Sequence, residues 1–197
     1  DKQLITIVQP NIKQKDKWNA EKRDNHLKKL IQLSKFNSKK YKNKFRIIIW
    51  PETAFEGLIP RDLSLLTNTI KEAGLDNKTS LVTGLLNIKD QNLFNSMASI
   101  NSLGNIEYIY NKVHLVPFGE YVPFRLFFKN IAQFISKDDF SSGKNNELMT
   151  LPNLGHILPL ICYEVLFSRE VRKRVSNKTR LIINITNDAW FGSTIGP

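Results

Sequence analysis

The sequence holds a single cysteine, Cys162, so no disulfide can close within the chain and the thiol says little about redox compartment. No apolar run approaches the roughly 18 to 20 residues that a membrane-spanning helix requires, and Asp1-Lys2-Gln3-Leu4 is not signal-like. The sequence alone therefore predicts neither a span nor export by its own signal. The three histidines, His26, His114 and His156, show no metal-ligand spacing. Repeats, low-complexity linkers and a second domain boundary are also missing, so one domain over residues 1–197 is expected. With no initiator Met and an end at Gly196-Pro197 just after a strand and a turn, the chain is expected to be a piece of a longer protein.

What is present is ordinary for a packed core: 41% hydrophobic and 24% charged residues. The formal net charge of +11 favours nucleic acid, an anionic membrane surface or acidic ligands as neighbours. Much of the excess lies in Lys13 to Lys44 and Arg169 to Arg180, where a solvated helix face accounts for it. No recognition motif and no interleaving of aromatic with basic residues supports a nucleic-acid partner, and none is expected.

Strand and helix patterns alternate. Leu4 to Gln9, Phe45 to Trp50, Ser80 to Leu86 and Leu181 to Ile185 read as buried strands, as does the run from Ile157 to Ile161. Trp18 to Leu33, Leu63 to Ala73 (closed by Gly74) and Ser168 to Val175 read as helices. Asn95 to Ile100 and Ile106 to Tyr110 flank a turn-like pentapeptide and form a hairpin. The aromatic-rich stretch Tyr121 to Glu147 is irregular; a core-covering helix and loop, a lid and a lipid-facing element all fit it, with Phe124, Phe127 and Phe128 as the candidate lipid contacts. The alternation favours a layered α/β sandwich.

Three strand ends carry ionisable groups: Glu52 after Ile47-Ile48-Ile49-Trp50-Pro51, Lys112 after Tyr108-Ile109-Tyr110-Asn111, and Cys162 after Leu160-Ile161. Singly, each has a plain reading: a first-turn helix acid, a solvated cation, a small buried hydrophobe. Together they supply what a thiol attacking a carbonyl needs, a base for its proton and a positive donor for the oxyanion.

The segments Trp50-Pro51-Glu52, Tyr110 through Glu120 and Ile161-Cys162-Tyr163-Glu164 resemble the nitrilase, or carbon-nitrogen hydrolase, superfamily in order and context. The closing run Asn187 to Pro197, Cys-Tyr-Glu in place of Cys-Tyr-Asp, and Gln9-Pro10-Asn11 followed by Trp18 resemble the apolipoprotein N-acyltransferase family within it. The resemblance implies a four-layer αββα sandwich with Glu52 as base, Lys112 as oxyanion donor and Cys162 as nucleophile, and no metal or organic cofactor. It implies a phospholipid acyl donor, a cysteine thioester, and the α-amine of a diacylglyceryl-modified apolipoprotein N-terminus as acceptor. It further implies a place on the outer, periplasmic face of the bacterial inner membrane, held by helices outside this chain.

Supporting residues follow by position. Glu120 is expected either to orient Lys112 or substrate, or to be a buried acid paired with a structural cation. Tyr163 and Glu164 are placed to shape the acyl pocket and position the thiol; Trp190 and Trp18 are candidates to line it, with core packing and a helix start as their alternatives. Family members continue past Gly-Pro with further strands and helices, so the isolated chain is expected to be incomplete and unstable. A soluble amidase using the same three residues, and an inactive relative, are the rival readings.

Overall fold

The computed structural model describes residues 3–35, 44–116, 120, 139–144 and 148–191. Among the described residues, nine strands form two sheets. The first has the order β1 (Leu4–Ile7), β2 (Arg46–Ile49), β4 (Thr79–Lys89), β5 (Asn92–Ile100) and β6 (Ile106–Asn111), with β3 (Leu58–Ile59) pairing alongside β4. The second has the order β7 (Met149–Leu151), β8 (Gly155–Ile161) and β9 (Thr179–Ile185).

The run Ile47-Ile48-Ile49 is β-branched, as suits a parallel strand covered on both faces, and β2 indeed lies between β1 and β4, parallel to both. On one face of the first sheet, Ile48, Leu81, Leu85, Ala98 and Ile100 pack against Leu27 and Leu30 of α1 (Ala20–Ser34) and Leu66 and Ile70 of α2 (Leu63–Ala73). On the other, Ile47, Val82, Met97 and Tyr110 meet Met149, Ile157, Ile161, Ile183 and Ile185 of the second sheet. The helix α3 (Ser168–Arg174) lies against the second sheet, its Arg174 guanidinium donating to the Pro159 carbonyl at 3.2 Å and to the Tyr110 hydroxyl at 3.1 Å. The layers follow the expected αββα order.

Local chemistry sets the element ends. The Asn19 side chain accepts from the Glu21 N–H at 3.0 Å and starts α1, leaving Trp18 outside the helix with a left-handed φ of 67°. The helix therefore begins two residues later than the apolar pattern predicts. β4 and β5 run on to a two-residue turn at Asp90-Gln91, both left-handed, and are longer than expected. Polar residues near this turn hide the hairpin from an apolar pattern. The short strands β3 and β7 carry too few residues to show periodicity. Of the stretch 121–147, only 139–144 is described, so the lid and lipid-contact expectations for Phe124, Phe127 and Phe128 lie outside the described residues.

Candidate active site

The strands β2, β4 and β6 run in one direction in the first sheet, and β8 and β9 are parallel in the second, so the ends of β2, β6, β8 and β9 can meet at one edge of the sandwich. Glu52 sits on the turn after β2, which β4 supports closely: the Gly84 N–H donates to Pro51 O at 3.2 Å and the Gly84 carbonyl accepts from Phe55 at 3.1 Å. A Cβ at Gly84 would lie 2.4 Å from Thr53 N and 2.6 Å from Glu52 Cα. Only glycine lets the two segments approach this closely.

Four side chains form a buried cluster. The Lys112 Nζ lies 2.8 Å from Glu120 Oε2 and 3.8 Å from Glu52 Oε1, with the lysine only 1% exposed. The Asn95 amide nitrogen donates at 2.8 Å both to Glu52 Oε1 and to Glu120 Oε1, so one amide bridges the two carboxylates. The Asn187 backbone N–H donates to Glu52 Oε2 at 3.0 Å. Glu120 is itself oriented by the Val116 N–H at 2.9 Å. Burial pushes the Glu52 carboxyl above its usual pKa, with the Glu120 charge adding to this; Lys112 first, then Asn95 and Asn187, oppose it. A carboxylate so placed is a stronger base than one in water.

Cys162 begins a 3-10 turn, Cys162–Leu166, immediately after β8. Its φ of 54° is left-handed, a conformation costly for a residue with a Cβ, and it sets the thiol apart from the alternation of the strand. The thiol is partly buried and free. Burial pushes its pKa up and the Glu52 charge pushes in the same direction, while a hydrogen bond with Thr186, the Lys112 charge and the Tyr163 N–H pull it down. The surroundings thus favour the thiol of Cys162 over the thiolate. Opposite shifts follow for two variants: with iodoacetamide, the pH midpoint for alkylation of Cys162 is expected to fall in Glu52→Gln and to rise in Lys112→Met, measured by intact mass.

Glu164 ties the thiol turn to the lysine strand. Buried at 1% exposure, its carboxylate accepts from the Ile161 N–H at 2.8 Å, the Val113 N–H at 2.8 Å, the His114 N–H at 3.1 Å and the Tyr110 hydroxyl at 2.9 Å. Burial and the Glu164 charge hold the Tyr110 hydroxyl well above the usual tyrosine pKa, so it stays a donor. Through these bonds Glu164 joins the segment after Lys112 to the residue before Cys162.

The other anticipated residues are placed differently from one another. Tyr163 is 49% exposed and meets Phe167 edge-on, 6.2 Å between ring centroids. Trp18 is 46% exposed, its backbone N–H held by Glu56 Oε2 at 3.1 Å. Trp190 lies on the 3-10 turn Asp188–Phe191, its side chain outside the described residues. Sequence reading passed over three contributors, Asn95, Thr186 and Lys17, and took Asn187 only as the start of the closing run. Asn95 was visible only as a polar residue at an inward position of β5, and Thr186 as a polar residue after a buried strand. Lys17, which donates to Glu52 O at 3.1 Å and Thr53 Oγ1 at 2.6 Å, sits among other lysines and gave no signal. Its burial pulls its pKa down to about 8 despite Glu52 and Glu56.

Two face-to-face sheets carrying a thiol, a carboxylate and an ammonium at converging strand ends define a nitrilase-type sandwich. The family model of carbon-nitrogen hydrolases matches residues 4–197, and the chain belongs to that family. It is 37% identical over 210 residues to the apolipoprotein N-acyltransferase of Allorhizobium ampelinum and 32% identical over 206 residues to that of Vibrio parahaemolyticus. Both alignments take in 100% of this chain but 38% and 40% of the relative, so the chain spans about two-fifths of the length of these curated relatives. Among solved structures it resembles an amidase from Nesterenkonia sp., with a TM-score of 0.62, 18% identity, and coverage of 92% of this chain and 64% of the other. The glutamine-dependent NAD+ synthetase of Acinetobacter baumannii gives a TM-score of 0.55 at 18% identity, covering 84% of this chain and 30% of that one. At these identities the structural likeness speaks to the fold.

Proposed function

We propose that this domain transfers an acyl chain from a phospholipid to the α-amine of a diacylglyceryl-modified apolipoprotein N-terminus, through a thioester on Cys162. The observation that carries the reading is the Glu52, Lys112, Glu120 and Asn95 cluster, electrostatically coupled to Cys162, in a chain whose curated relatives are apolipoprotein N-acyltransferases.

In the first half-reaction the Cys162 S–H proton passes to Glu52 as Sγ bonds to the ester carbon. Lys112 and the Tyr163 N–H stabilise the tetrahedral oxyanion. Its collapse breaks the C–O bond, and the departing lysophospholipid oxygen takes the proton back from Glu52. In the second, the amine attacks the thioester carbon, gives a proton to Glu52, and the C–S bond breaks to leave an amide and a thiolate that recovers the proton. Glu52 therefore begins and ends each half-reaction ionised. Glu120 and Asn95 hold Glu52 and Lys112 in place and touch no substrate.

Among the described residues no helix is long and apolar enough to cross a membrane. The reading places the domain on the outer face of the bacterial inner membrane, anchored by helices outside this chain. Its test is to supply the protein with phospholipid vesicles and a peptide whose N-terminal cysteine carries a diacylglyceryl group. One added acyl chain on the peptide amine is expected by mass spectrometry. Release of free fatty acid with the peptide unmodified would instead favour a hydrolase that uses water.

A further inference from the structure

A cleft of about 760 Å³ between the β4–β5 hairpin and the start of α1 takes no part in this chemistry. Leu86, Ile88 and Leu93 line it. In the register of β4 and β5, Ile88 pairs with Leu93 and Leu86 with Asn95. Paired residues, and residues two apart, share a sheet face, so these three leucine and isoleucine side chains continue the face on which Asn95 holds Glu52. The cleft thus starts one residue pair from the candidate catalytic cluster.

Its walls are charged. Arg23, on the first turn of α1, lines the cleft, and its Nε is buried without a hydrogen-bond partner. That Nε is closed off from the cleft, so an acceptor oxygen in the cleft would meet the terminal nitrogens of the same guanidinium. The N-terminal end of α1 beside it adds positive potential. Arg61 stands on the same wall, largely exposed and held by Asp62 at 2.9 Å. Two carboxylates are also present. Both oxygens of Glu56 are engaged, by His26 Nδ1 at 2.7 Å and the Trp18 N–H at 3.1 Å, and Asp139 is the other.

We propose that this cleft is the phosphodiester subsite of the acyl donor: Arg23 donates to a phosphate oxygen, Arg61 supports it from the rim, and donor hydrocarbon lies along Leu86, Ile88 and Leu93. The inference rests on the acyl-transfer reading and deepens it. Guanidinium and phosphate match in charge and geometry, which a neutral ester cannot exploit. In a glycerophospholipid the reacting ester and the phosphodiester share one glycerol, so a phosphate subsite must lie close to the cysteine site, and this cleft begins at Leu86, the strand partner of the Asn95 that holds Glu52.

The test measures acyl-Cys162 formation by intact mass with two donors, dioleoylphosphatidylglycerol vesicles and p-nitrophenyl oleate in uncharged detergent. Wild type, Arg23→Gln, Arg23→Lys and Arg61→Gln are compared through the ratio of kcat/KM for the two donors. The ratio is expected to fall about tenfold in Arg23→Gln through KM, the worth of one charge-assisted hydrogen bond, to recover in part in Arg23→Lys and to fall less in Arg61→Gln. A ratio unchanged in both Arg23→Gln and Arg61→Gln overturns the subsite, and so does a wild type acylated by the neutral ester but not by the phospholipid. A wild type acylated by neither overturns the acyl-transfer reading itself.

Discussion

Glu52→Gln is expected to slow acylation of Cys162 by a factor of about 10²–10⁴, the usual worth of a positioned general base. The substitution keeps one accepting oxygen, for either the Asn95 amide now at Oε1 or the Asn187 N–H now at Oε2, so the side chain keeps its shape and part of its bonding. On the proposed mechanism, what is lost is the site that takes the thiol proton and returns it to the leaving group. Stability moves the other way. Burial raises the Glu52 pKa in the folded protein, so its stabilising contribution is complete below the unfolded carboxylate pKa, near 4, and is lost as pH rises through the folded value. At pH 7 Glu52→Gln should therefore be at least as stable as wild type, and the difference should vanish in acid. Rapid-quench mass spectrometry beside thermal denaturation at pH 4 and pH 7 reads both. A variant that acylates at the wild-type rate would remove Glu52 from the role of base.

Glu164→Ala is expected to have the largest effect on folding, a loss of about 3 kcal/mol or more in urea denaturation. The carboxylate satisfies three backbone N–H groups and the Tyr110 hydroxyl in a site closed to water. Removing it leaves those donors unpaired, and each buried unpaired donor costs roughly 1–3 kcal/mol. Glu164→Gln keeps one accepting oxygen and should lose less. Because the same carboxylate joins the Ile161 N–H to the Val113 and His114 N–H groups, the surviving folded fraction of Glu164→Ala should also acylate slowly. Equal stability of the alanine variant would mean that water replaces the carboxylate and that Glu164 does not hold the site together.

The strand ends were legible because each of Glu52, Lys112 and Cys162 follows a run of mostly apolar residues long enough to read as a strand. An ionisable group just past such a run has little room to be anything but a site or a cap. The short strands β3 and β7 and the hairpin turn at Asp90-Gln91 were not legible: two or three residues show no period, and polar residues on a strand read as loop. Asn95 illustrates the limit most clearly. Its single amide nitrogen reaches two carboxylates that lie 43 positions before it and 25 positions after it in sequence, a contact that only the pairing of β4 with β5 creates. The left-handed backbone of Cys162 was likewise invisible, because a residue that prefers φ below zero adopts it only where the surrounding structure enforces it.

The central claim is that Cys162 carries the acyl chain. It is tested most directly by incubating the protein with phospholipid vesicles and no acceptor, then measuring intact mass for wild type and Cys162→Ala. The expected result is a gain of one acyl chain in wild type that hydroxylamine removes and that Cys162→Ala lacks. Folded wild-type protein that gains no acyl chain, or an adduct that persists in Cys162→Ala, would contradict it.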